Sequence, residues 1–478
     1  MPANYKNCET LRRTPVYIHR APSNRLYLAL LLILFAMAIA VVGITNNVAV
    51  GVGILCTAVS IILIKQPEMP LAVLFNGIII YFYLLYKLGL ETNRTTTALF
   101  YLALVTTSLI GSIIVIVRGR QKFRLSPIDI VFTCFFVYIF LSYFFFSTKH
   151  EEAHIKITYA PLMVVGPYFA VTLLSSEKAI YNFFRYCVIL AAVLIIPSFY
   201  ELFSNPDLAN SARFSAYELN GLNNPILFGL TFGTLLIIAG TWILEKNGFK
   251  PKLLMLIVPS AYLLLRAGSR GALLSFAITM VFGIILAEIK LKTKVFSLIA
   301  GVLLFTIAYH FVPEATLDFY KGTLDYQDMP ESSVSQRLVM WQQAITDFTN
   351  SPLIGVGVGN SVWGGGFPHN IFLEVGAELG VVGLMILFAI YYLCIKNSIN
   401  FIKRTPSGEL KVCMKTAFLL FIYSSADALF SGYITNQIRL FASIALISAI
   451  VRIKSKSANT STMKSLAFVP PKEVLSCE

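Results

Sequence analysis

Fourteen or so apolar runs, most close to twenty residues long, follow one another along the chain. They lie near 26–43, 47–64, 70–90, 98–117, 128–147, 157–174, 180–203, 225–244, 252–266, 271–288, 295–312, 370–395, 412–430 and 434–451. A bilayer's hydrocarbon core is crossed by about twenty apolar residues in a helix. The pattern therefore predicts an all-α, polytopic integral membrane protein with about 12–14 transmembrane helices. Composition agrees: 57% of the 478 residues are hydrophobic, 13% are charged, and mean hydropathy is +0.74. A soluble globular domain does not have these values.

Charge placement orients the spans. Counting from an inner N-terminus, the inner connections contain Lys65, RGRQKFR at 118–124, Lys178, EKNGFKPK at 245–252, EIKLKTK at 288–294, KNSINFIKR at 396–404 and RIKSKS at 451–456. Nearly every basic cluster falls on one side, as the positive-inside rule requires. The net charge of +14 is thus a consequence of topology, and no nucleic-acid partner is expected. The expected organisation is a cytoplasmic tail over 1–25, eleven spans over 26–312, one large outer loop over 313–368, three spans over 369–452 and a second tail over 453–478, disordered from 457. The first apolar run is long enough to remain as a span, so a cleavable leader is not expected.

One stretch combines features that spans do not need. Residues 331–383 read ESSVSQRLVMWQQAITDFTNSPLIGVGVGNSVWGGGFPHNIFLEVGAELGVVG. Ser333 and Gln336 fit a capping box, and Ser351-Pro352 ends the run. Arg337, Trp341, Ala344, Ile345 and Phe348 then share a helical face. A glycine-rich segment follows (Gly355, Gly357, Gly359 and Gly364–Gly366), in which the backbone can approach a ligand or another chain segment closely. Pro368 suits the first turn of a helix, which puts His369 near a helix start. On a continuous helix Gly376, Gly380 and Gly383 fall on the side of His369, a small-residue stripe that a neighbouring helix can approach. Glu374 and Glu378 fall on the opposite side.

Several arginines break the charge pattern. Arg213 lies in an outer connection, and Arg266 and Arg270 flank a very short one in LLLRAGSRGALLSF. Outer-side arginines between apolar helices are functional candidates. Arg266 reads as a helix anchor at the headgroup level. Arg213, Arg270 and Arg337 suit a shared anionic ligand, because guanidinium forks match phosphate oxygens. His150 and His154 read as solvated loop residues. The seven cysteines show neither a disulfide framework nor metal-ligand spacing, so no metal site and no cofactor are expected.

Arg270 in GSRGALLSF, Arg337 with Trp341 ahead of SPLIGVGVGN, and His369-Asn370 followed by Gly380-Val-Val-Gly383 resemble the O-antigen ligase and polymerase superfamily, over about 210–450. The resemblance implies a GT-C-like helical membrane fold with the large loop in the periplasm of a bacterial inner membrane. It implies a metal-independent, inverting glycosyltransferase whose donor is a glycan on undecaprenyl diphosphate. A ligase passes that glycan to lipid A–core; a polymerase extends another lipid-linked repeat. The implied roles are His369 as acceptor-activating base and Arg213, Arg270 and Arg337 as the diphosphate site. Asn370, Trp341 and Asp427 would support them, Asp427 by orienting His369 or by binding acceptor. Ligation in lipopolysaccharide biosynthesis is the expectation. Polymerisation is the alternative, and a polysaccharide or lipid transporter is the second. A transporter would account for the spans and arginines, but its usual broken helices in repeated halves are not visible in the sequence.

Overall fold

The computed structural model describes residues 65–87, 94–118, 124–148, 151–215, 224–245, 251–321, 333–361 and 367–466. Among these residues all regular structure is helical. The helices are α1 (Glu68–Ala72), α2 (Ile78–Lys87), α3 (Arg94–Arg118), α4 (Pro127–Phe146), α5 (Glu151–Ala160), α6 (Gly166–Thr172), α7 (Glu177–Ser204), α8 (Pro206–Asn210), α9 (Pro225–Leu244), α10 (Pro251–Arg266), α11 (Arg270–Leu286), α12 (Leu291–His310), α13 (Glu314–Lys321), α14 (Ser333–Asn350), α15 (Ile371–Arg404), α16 (Glu409–Asp427) and α17 (Ile438–Leu466). Seven helical stretches among the described residues are long and apolar enough to cross a membrane: 97–118, 127–146, 153–172, 177–204, 225–244, 291–310 and 371–404. The protein is an all-α polytopic membrane protein. The runs predicted at 26–43 and 47–64 lie outside the described residues.

Two predicted spans are less regular than the hydropathy suggests. The run near 70–90 is α1 and α2 joined by a π-turn over Val73–Gly77, and the run near 157–174 is α5 and α6 joined by another over Pro161–Val165. Pro161 has no N–H to donate, which favours local rewinding of the helix there. At the other end, α17 continues to Leu466 through part of the segment expected to be disordered. Extending a formed helix needs no new nucleus.

The packing has a centre and an edge. Of its apolar window, α9 buries 78% inside the protein, whereas α12 buries 6%. Helix α9 packs on α7, α10, α11 and α16, and α16 packs on α17. The described residues of the segment predicted as a large loop include α13, α14 and a turn segment over 351–361. Helix α14 lies along α15.

The main departure from a simple span is in α15. Gly380 has φ 65° and ψ −162°, which breaks the helix in two. The freed backbone groups are met by the segment after α14: Val356 N donates to Ala377 O (2.8 Å), Gly357 N to Glu378 O (3.1 Å), Val381 N to Pro352 O (2.8 Å) and Val382 N to Leu353 O (3.2 Å). Tyr138 of α4 donates its hydroxyl to Leu379 O (3.2 Å). Unpaired backbone groups in a bilayer cost several kcal/mol each, so the break is possible only because 352–357 fills it. The expectation of a continuous helix from 369 is thereby corrected.

Candidate active site

A cavity of about 360 Å³ is lined by Arg213, Arg270 and Arg337, with Trp341, Phe319 and Ser431 among its other walls. Three separate parts of the chain deliver the arginines. Arg213 follows α8 and is held by the α10–α11 connection, where Phe214 N donates to Arg266 O at 3.0 Å. Gly268, at φ +58°, makes that approach possible: a Cβ there would lie 2.9 Å from Ala212 O and 3.0 Å from the Cγ of Arg213. Arg270 is the first residue of α11, which Ser269 caps by accepting from Ala272 N. The Arg270 guanidinium donates to Phe319 O at 2.5 Å. Phe319 then presents its ring to both cations, 4.3 Å from Arg270 and 5.3 Å from Arg213, a cation–π arrangement. Arg337 comes from α14.

These charges act on one another. The Arg213 pKa is lowered by burial first and then by Arg337, and Arg270 feels both Arg213 and Arg337. Arginine keeps its charge in proteins, so three half-buried guanidiniums around one cavity repel until an anion joins them. The Arg337 pKa is likewise lowered by burial, with Asp427 opposing. Asp427 closes α16, is buried, and has one oxygen without a hydrogen-bond partner among the described residues. Its charge reaches Arg337.

His369 stands beside this cavity. It takes a left-handed conformation with φ 53°, which is uncommon for a residue with a Cβ and marks a constrained position. Helix α15 starts at Ile371, so Pro368 lies before the helix and not in its first turn. Asn370 is the N-cap: its side chain accepts from Phe372 N (3.0 Å) and Leu373 N (3.2 Å). Ile371 N donates to Ala428 O at 2.9 Å. Trp341, from the arginine cavity, donates its indole N–H to Pro368 O at 2.6 Å. The His369 pKa is lowered, by burial first and by Arg337 second. A half-buried imidazole kept neutral can accept a proton.

Other expectations change in detail. The glycines of the 351–361 segment pack against protein: a Cβ at Gly355 would lie 2.2 Å from the Glu378 carbonyl carbon, and one at Gly359 would lie 2.4 Å from the Ala153 Cα. They bring the segment onto α15 and α5. Residues 364–366 lie outside the described residues. Of the predicted stripe, Gly376 receives Phe348 of α14, Gly380 the backbone of Leu353, and Gly383 faces Val375 and Leu379 across the break in α15 itself. Ile345 is exposed and so leaves the predicted face of α14. Arg266 is fully buried and anchors protein, not lipid headgroups. It donates to the carbonyls of Leu208 (3.2 Å), Ala209 (2.7 Å) and Ser211 (3.1 Å) and to the hydroxyl of Thr316. His154 lies in the first turns of α5, exposed, with its Nδ1 2.6 Å from the Tyr143 hydroxyl; it is not in a loop. His150 lies outside the described residues.

Of the buried charge groups that escaped the sequence reading, two lie close to the site. Lys156 of α5 is wholly buried and contacts both Glu374 and Glu378 at 2.5 Å. Glutamates four apart in an apolar helix demand a cation, and that signal was available. Arg439 of α17 is buried next to α9, its guanidinium 3.3 Å from the Thr231 hydroxyl. It lies inside the apolar run at 434–451, which reads only as a span.

Residues 255–388 match the family model described as O-antigen ligase. The matches support the O-antigen ligase superfamily. A protein of Rickettsia conorii named "Putative polysaccharide ligase RC0486" is 28% identical over 219 residues, 39% of this chain and 52% of that protein. A Rickettsia felis protein named "Putative polysaccharide ligase" is 30% identical over 203 residues, 37% of this chain and 48% of that protein. The chain thus spans about half the length of the curated relatives it matches. Arg270, Arg337, Trp341, His369 and Asn370 lie inside the family match; Arg213 and Asp427 lie outside it and join the site in space. Both relatives carry names of polysaccharide ligases, and the similarity covers the part of the chain that holds most of the candidate site.

Proposed function

We propose that this protein moves a glycan from undecaprenyl diphosphate to an acceptor hydroxyl at the periplasmic face of a bacterial inner membrane, with lipid A–core as the acceptor. The convergence of Arg213, Arg270 and Arg337 on one cavity supports this reading most directly. Three fixed cations suit a diphosphate, and the apolar walls given by Ile226, Leu274 and Leu338 suit the start of a polyprenyl chain.

The chemistry follows from these positions. His369 takes the acceptor's hydroxyl proton as the oxygen attacks the anomeric carbon of the donor sugar. The bond from that carbon to the phosphate oxygen breaks, and its electron pair leaves with undecaprenyl diphosphate. The arginines meet the charge that grows on the leaving oxygen. Attack opposite the leaving group inverts the anomeric centre, and the reaction as written draws on no metal.

The test is purified protein in detergent with a lipid-diphosphate glycan and lipid A–core. Transfer of glycan to the core is the expected result. Lengthening of the lipid-linked glycan instead would make the protein a polymerase, and donor movement across a vesicle membrane without any new glycosidic bond would make it a transporter.

A further inference from the structure

Lys156 is used by none of the steps above, yet a lysine with no exposure is expensive to bury. Its contacts form a closed circuit around His369. The ammonium contacts Glu374 and Glu378, one turn apart on the front half of α15, at 2.5 Å each. The same ammonium lies 4.8 Å from the centre of the Phe367 ring. Phe367 comes two residues before His369, and Glu374 five residues after it. The circuit closes on the far side. The Phe367 ring packs on Tyr433 with centroids 4.5 Å apart. The next residue, Ile434, donates its N–H to the second oxygen of Glu374 at 2.8 Å. One buried cation therefore grips both arms of the backbone that carries the left-handed His369.

We propose that Lys156 is a positioning residue for His369. The inference rests on the reading of His369 as the base, but the geometry it predicts can be measured without any transfer. Removing Lys156 alone would strand two buried carboxylates, so the circuit is best opened with its charge neutralised. The variant is Lys156→Met with Glu374→Gln and Glu378→Gln. A second variant, Phe367→Leu, leaves the buried triad intact and removes only the contact to the arm before His369.

Each protein is checked for folding by thermal unfolding and by elution as a single species. Transfer is then measured as kcat and KM for donor and acceptor. Separately, carbethoxylation of His369 by diethyl pyrocarbonate is followed by peptide mass spectrometry. In the neutralised variant we expect folded protein, donor KM within about twofold, and kcat lower by about 10- to 100-fold, the usual cost of displacing a catalytic group by an ångström. Phe367→Leu should lower kcat in the same direction by less, and both should change the rate at which His369 reacts. Normal kcat per folded molecule with unchanged His369 reactivity overturns the proposal; if the neutralised variant does not fold, that result in Phe367→Leu alone overturns it. Transfer that survives His369→Ala would instead remove the reading of His369 as base, while the carbethoxylation rates would still report whether Lys156 positions it.

Discussion

The indole N–H of Trp341 donates to the carbonyl oxygen of Pro368 at 2.6 Å, and this bond joins the arginine cavity to the histidine. Trp341 lines the cavity one helical turn after Arg337. Pro368 is the residue that turns the chain into His369. A donor held by the arginines and a base held by this loop therefore share one mechanical link.

Trp341→Phe keeps an aromatic side chain, though a smaller one, and deletes the donated hydrogen bond. The lost bond is worth about 0.5–1.5 kcal/mol, so transfer per folded molecule should fall roughly two- to tenfold while donor affinity holds. Steady-state kinetics with a separate donor-binding assay checks this. Equal kcat in the two proteins would mean that the link does not position the base.

The pH profile carries a sign. Burial and the Arg337 charge favour neutral imidazole at His369. Its pKa in the folded protein therefore lies below the usual value of about 6.5. Activity that needs the neutral form should persist as pH falls to that lowered value and be lost below it. The charges facing His369 are Arg337 of α14 and, through Arg337, Asp427 of α16. Arg337→Gln removes the nearer positive charge, so the acid limb should move to higher pH. A limb that stays put, or moves lower, contradicts this electrostatic account.

Two neighbouring arginines should behave oppositely. Arg266→Met strands the Ala209 carbonyl, at about 1–3 kcal/mol for an acceptor left unpaired, and takes one donor each from the carbonyls of Leu208 and Ser211, which keep Ser211 and Thr316. It should lower the unfolding temperature and the yield of folded protein. Arg270→Gln should fold normally and weaken donor binding, at about 1.5–3 kcal/mol for a charge-assisted contact. Thermal unfolding and donor affinity on both variants separate the roles; a stable Arg266→Met protein would remove the anchoring function.

What the sequence made legible, and what it hid, divides along physical lines. Span positions were readable because lipid forces a length and a composition: the run expected at 225–244 is α9 to the residue. Arg213, Arg270 and Arg337 stood out because outer-side arginines violate a charge rule. Pairings over long sequence separation were not readable. Lys156 resembled a lysine at a span's edge, and its partners lie more than 200 residues away. The break at Gly380 was hidden as well, since a glycine in an apolar helix commonly marks only close packing, and here the filling segment comes from the preceding loop.

Asn360, in the segment expected outside, is held too firmly to serve as a topology probe. Its side chain accepts from Thr148 N (3.0 Å) and donates to Val356 O (2.6 Å), so a cysteine there would open the loop. Thr346 on the exposed side of α14 is a safer handle. Thr346→Cys in intact cells should react with a membrane-impermeant maleimide. Reaction only after the inner membrane is breached would put the cavity on the wrong face.

His369→Ala tests the central claim most directly. The variant should insert and fold as the parent does, bind the lipid-diphosphate glycan with parental affinity, and lose transfer to the acceptor by about 10²- to 10⁴-fold, the usual worth of a general base. A poorly folded variant with near-parental transfer per folded molecule would contradict the account, leaving His369 as a structural turn at the head of α15.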